Sequence, residues 1–121
     1  LSAQKSVDQI HLGYYGAVVA LKAKFNSNPI KKYNFCKEGL GLISSSIDKS
    51  PLDLELRYLR LIIQTNIPTF LGMNENIEED KNTILKRIEN EKDLPLKRLM
   101  SQFLINSDIC TENEKKKLAS I

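Results

Sequence analysis

The sequence has one histidine, His11, no tryptophan and two cysteines, Cys36 and Cys110, set far apart. Each scarcity excludes chemistry. A Cys–His or Ser–His nucleophile would have to use His11, and no zinc site with two histidines can be built. The cysteines form no C-x-x-C redox or metal motif. As free cysteine is among the most buried residue types, two ordinary buried thiols are expected rather than a disulfide. The five glycines form no phosphate-cradling run of either the G-x-x-x-x-G-K-[ST] or the G-x-G-x-x-G kind. Uninterrupted apolar stretches are only a few residues long, too short for an integral membrane segment. No cofactor and no metal are expected.

What remains is an ordinary globular composition. The 121 residues are 41% hydrophobic and 27% charged, which suits one domain spanning 1–121. Net charge is only +3, but it is unevenly placed. Residues 1–50 hold seven lysines against Asp8, Glu38 and Asp48, whereas residues 51–121 are nearly balanced. The chain opens Leu1-Ser2-Ala3-Gln4 without an initiator methionine. A small residue before glutamine resembles a secretory cleavage site after Ala3, of the kind found in exported Bacteroidetes proteins. A periplasmic or secreted location is the expectation, with residues 1–4 as a tail; a cytoplasmic protein is the alternative.

The apolar spacing is helical nearly throughout. In the first helix, residues 5–26, Val7, Ile10, Tyr14, Val18, Leu21 and Phe25 draw one stripe that should face inward. Gly13, Gly16, Ala17 and Ala20 lie near it and permit close approach of a neighbour. Asn28 and Pro29 open a second helix reaching Asp48, with Tyr33, Cys36, Leu40, Ile43 and Ile47 as its stripe. Ser50 as cap and Pro51 at the first position open a third, ended before Pro68. Leu52, Leu56, Leu59 and Ile63 form its apolar row, and Asp53, Arg57, Arg60 and Gln64 an opposing polar row. A fourth helix follows over 76–91 with Asn76 and Glu79 as a capping pair. Asp93 caps a fifth over 94–106, and a Thr111–Glu114 capping box opens a short last one. The class is all-α, with five to six helices packed as antiparallel hairpins.

Two resemblances add to this reading. The run from Gly39 to Pro51, with Gly39, Ile43, Ser46 and Pro51 at matching positions, resembles the second half of a tetratricopeptide (TPR) repeat. The preceding helix lacks that repeat's Trp-x-x-Leu-Gly-x-x-Tyr pattern, and nothing repeats at a spacing of about 34 residues, so the hairpins are TPR-like rather than a true array. Leu56-Arg57-Tyr58-Leu59-Arg60, Asn66-Ile67-Pro68-Thr69-Phe70-Leu71-Gly72 and Asn76-Ile77-Glu78-Glu79-Asp80-Lys81 are similar to segments of an uncharacterised small all-helical protein family of Bacteroidetes bacteria. The likeness reaches back to Gly16-Ala17 and Lys22-Ala23-Lys24. It implies fold and lineage and supplies no functional residue.

Several features compete as a site. The polar row Asp53, Arg57, Arg60 and Gln64 would line a concave groove if exposed, the arginines gripping a partner carboxylate. Otherwise Arg57 pairs with Asp53 one turn away. The apolar loop Ile67–Met73 either plugs the core or walls a pocket near Phe70 and Leu71. Lys22, Lys24, Lys31, Lys32 and Lys37, interleaved with Phe25, Tyr33 and Phe35, form either a solvated corner or an anion-binding surface. No nucleic acid is expected, as the basic balance is weak and lacks clustered arginine. Glu75, Glu78, Glu79 and Asp80 read as complements to a helix dipole. His11 reads as a partly buried structural residue. The expected function is a non-enzymatic protein–protein interaction module using the Asp53/Arg57/Arg60/Gln64 row. The alternative is a small-molecule or lipid carrier with an apolar pocket near Phe70 and Leu71. An enzyme built on Glu78 and Glu79 with the two arginines ranks last.

Overall fold

A computed structural model of the chain describes the backbone of residues 2–121 and the side chains from residue 8 onward. It is all-α, with six helices and no strand among the described residues. These are α1 (Ser2–Leu21), α2 (Pro29–Lys49), α3 (Leu54–Thr65), α4 (Ile77–Arg87), α5 (Leu94–Ile105) and α6 (Glu112–Ala119). Single 3-10 turns extend α1 (Lys22–Phe25) and α4 (Ile88–Asn90), and a third (Thr69–Leu71) lies between α3 and α4. The backbone is helical from Ser2, where a tail was expected over residues 1–4, and Leu1 lies outside the described residues.

The helix starts follow from local chemistry. The Asn28 carboxamide accepts from the backbone N–H groups of Ile30 and Lys31, and Pro29 sits where no N–H is needed. Asp93 caps α5, and Thr111 with Glu114 forms a full capping box on α6. Two starts differ from expectation. Ser50 does not cap α3; it closes α2, donating its N–H to Ser46 and Ile47. Pro51 and Leu52 then make a turn, and Asp53 is the cap, accepting from Glu55 and Leu56 at 3.0 and 3.2 Å. Asn76 does not cap α4 with its side chain either, because its carboxamide is engaged by Gln64.

The core has two parts joined by α3. The larger holds Leu54, Leu61, Ile84, Ile88, Met100, Leu104, Cys110 and Leu118, sealed by Tyr58 and Phe103, whose rings meet edge to face at 5.7 Å. The smaller holds Ala17, Ile43, Ile47 and Leu56, with Leu59 and Ile63 against it.

The α1–α2 hairpin is built differently. Gly13, Gly16, Ala17, Ala20 and Ala23 are the buried side of α1 and its 3-10 extension. At Gly16 a Cβ would meet the Gly39 carbonyl oxygen at 2.7 Å, so the two backbones touch where only glycine fits. This reverses the expected orientation of α1. The stripe of Tyr14, Val18, Leu21 and Phe25 points outward, because the small residues occupy the face against α2. Ile10 is half-buried, and the Val7 side chain lies outside the described residues.

Candidate functional site

The polar row of α3 is not a surface. Arg57, Arg60 and Gln64 are 8%, 4% and 3% exposed. Asp53 is spent on the cap. The reason lies on α4, which brings Asp80 and Glu79 across the same seam. Arg60 grips Asp80 with two bonds of 2.7 Å, from Nε to Oδ2 and from Nη2 to Oδ1. It also reaches Glu79 at 2.8 Å and the Ser44 hydroxyl at 3.1 Å. Arg57 donates to Glu79 and Asp80 and to the Pro51 carbonyl, each at 3.0 Å. Burial acts to lower the Arg60 pKa, but the hydrogen bonds and charge of Asp80 outweigh it and hold the guanidinium charged. Gln64 continues the seam, donating to the Asn76 carboxamide and accepting its backbone N–H, both at 3.1 Å.

The expected binding row is therefore an internal clamp between α3 and α4, with Arg57 and Arg60 engaged by Asp80 and Glu79 of the same chain. Arg57 does not pair with Asp53. The acid cluster is corrected too: beyond complementing a dipole, Glu79 and Asp80 neutralise the arginines, while Glu78 pairs with Lys81 at 3.2 Å. Lys81 is itself buried, its ammonium donating to the Ile109 carbonyl and approaching Glu114. Among the described residues, no group of three or more His, Cys, Asp or Glu is arranged to hold a metal ion.

Exposed apolar surface lies elsewhere. Tyr14, Tyr15, Val18 and Leu21 stand open along α1. Tyr14 donates to Glu55 on α3, and that bond pushes its pKa up to about 12. His11 lies on the same exposed side and is not the half-buried residue expected. At the α1–α2 corner the stripe runs into a groove of about 470 Å³ walled by Leu21, Lys24, Lys32, Tyr33, Phe70 and Leu71, among others. The 67–73 loop is only partly a plug. Ile67 is buried and Leu71 and Met73 are half-buried, but Phe70 projects into solvent. Gly72, in the left-handed region at φ 70°, turns the chain. Asn74 ties the loop back by donating to the Gln64 and Ile67 carbonyls.

Sequence periodicity identified the apolar stripe of α1 but assigned it to the wrong side. The run of glycine and alanine at helical spacing was the signal that the opposite face is the packed one. Cys36 lines the groove and Cys110 is buried in the larger core; both are free thiols, and burial pushes both pKa values up, against thiolate chemistry. No described helix is long and apolar enough to cross a membrane. Nothing matches the chain among protein-family models, curated proteins or solved structures.

Proposed function

We propose that this chain is a non-enzymatic protein-interaction module that receives an amphipathic helix of its partner along the outer face of α1. The observation that carries the reading is the inversion of that helix. Its small residues are buried together with Val19, and four of its large apolar ones, Tyr14, Tyr15, Val18 and Leu21, are left uncovered. Exposed aromatic residues in a contiguous apolar strip are the usual anchors of a protein interface. The TPR-like character read in α2 supports a helical partner, because the outer face of a terminal hairpin is where the next hairpin of a stack would pack. The interaction surface thus moves from the α3 arginines to α1.

A photo-crosslinking side chain at position 18 tests this in the native organism. One protein is expected to be captured there, and lost when Leu21→Asp is added at unchanged helicity. Capture of the same proteins from position 98, on exposed Arg98 of α5, would remove the proposal. A second reading, a small-molecule or lipid carrier, is favoured by the groove beside Phe70 and Leu71. Native mass spectrometry of the purified chain tests it: a bound small molecule displaced by Ile63→Trp supports it, and a bare chain opposes it.

A further inference from the structure

We infer that the α1–α2 corner, together with the Thr69–Leu71 turn, is a docking surface for an anionic lipid bilayer. The three most exposed large apolar side chains of the described residues are Phe25 at 89%, Phe70 at 85% and Ile30 at 72%. They come from two separate connections: Phe25 and Ile30 flank the link from α1 to α2, and Phe70 lies in the turn after α3. Phe70 walls the groove alongside Leu21, Lys24, Pro29 and Lys32, so both corners lie at the same end of the molecule. Phe25 adjoins Lys24 in the chain, and Ile30 lies between Pro29 and Lys31. These side chains add nothing to the core, and single apolar side chains protruding from turns and helix ends fit between lipids better than against a flat protein face.

Charge selects the occupant. Lys24 and Lys32 line the groove and no acidic side chain does. Lys22 and Lys31 are exposed close to them in the chain, with the Lys22 ammonium 5.9 Å from the centre of the Phe35 ring. No acid occurs in the chain between Asp8 and Glu38, and Glu75, the acid nearest Phe70 in sequence, is not part of the groove wall. Apolar tips ringed by lysines, whose stems lie on apolar surface while their ammonium groups reach headgroup phosphates, match the chemistry of an anionic membrane surface. The groove beside Phe70 meets the stripe of α1 at Leu21 and is open to solvent, which suits a surface contact more than the enclosure of a single lipid.

The absence of tryptophan makes the test direct. Phe70→Trp and Phe25→Trp each place one reporter at the surface, and Leu99→Trp, exposed on α5, serves as control. With vesicles of phosphatidylcholine and phosphatidylglycerol, emission from positions 70 and 25 is expected to shift to the blue, and that from position 99 to stay. Vesicle affinity should fall roughly fivefold for each of Lys24→Gln and Lys32→Gln, and roughly tenfold for Phe25→Ser or Phe70→Ser. High salt should weaken binding to the same vesicles. These residues are exposed, so the variants are expected to keep the fold, and their helicity checks that. No shift at 70 and 25, an equal shift at 99, or equal binding to pure phosphatidylcholine vesicles overturns the inference. So does tight binding of an acidic amphipathic peptide, or of monomeric fatty acid, by a chain that ignores vesicles.

Discussion

The two halves of the molecule are held together by opposite means. From α3 to α6, large side chains interlock: Leu61, Ile84, Met100 and Leu104 are fully buried, and charged clamps join α3 to α4 and α4 to α6. In the α1–α2 hairpin the backbones themselves meet at Gly16 and Gly39, and most of the side chains that α1 buries are alanines, the larger ones coming chiefly from α2. Helix α3 serves both, turning Leu54 and Leu61 to one side and Leu56 to the other. A core of large side chains uses up the apolar residues of its helices. A seam of small residues leaves them over, and here they line the outside of α1.

The sharpest way to break this contrast is at the clamp. Asp80→Ala leaves two buried guanidinium groups sharing only the largely exposed Glu79, and is expected to cost roughly 3–5 kcal/mol, read as a lower urea midpoint for the whole chain. The cost reflects the stranded charges and not the net worth of the pairs, since taking the ions from water offsets much of their attraction.

Two neighbouring glycines on α2 separate seam from helix propensity. A Cβ at Gly39 would meet Ala20 Cβ and its backbone nitrogen at 2.7 Å. Gly39→Ala is expected to destabilise by about 1–3 kcal/mol, with amide exchange quickening in α1 and α2 ahead of α4–α6. Gly41 faces open space, so Gly41→Ala should stabilise by about 0.5–1 kcal/mol through helix propensity. Equal effects at the two positions would mean that the backbones do not touch.

The smallest effect concerns the link from α1 to α3. With its pKa raised from 10.0 to about 12 by Glu55, Tyr14 contributes stability that is whole below pH 10 and is lost as pH rises towards 12. Glu55→Gln should return Tyr14 towards the ordinary tyrosine value in an ultraviolet or NMR titration. The residue is exposed, so the change in stability will be slight.

The helices were legible in the sequence because their ends carry their own chemistry: Asn28-Pro29, Asp93 and the Thr111–Glu114 pair each act over a single turn. Ser50 misled because it also lies next to a proline, and the true cap, Asp53, stands just beyond it. The site was less legible because it depends on pairing across the chain. Arg57 and Arg60 look like a solvent face until α4 delivers Asp80, and local periodicity carries no record of that meeting. The stripe of α1 was read correctly as apolar and wrongly as inner, since periodicity cannot say which of two packable faces a neighbour will take. The composition of the 67–73 loop allowed a core plug or a pocket near Phe70 and Leu71, and the run of lysines without acids allowed a solvated corner or an anion-binding surface; their convergence at one end needed the fold.

The backbone contact between Gly16 and Gly39 also separates two demands on one helix. Because α1 is seated by glycine, alanine and Val19, the exposed Val18, Leu21 and Phe25 contribute little to the closure of the hairpin. Their identities can change under selection for recognition without endangering the scaffold. The seam thus acts as an insulator between foldability and innovation, and substitutions along the outer strip of α1 are where this architecture can acquire new specificity at the least risk to itself.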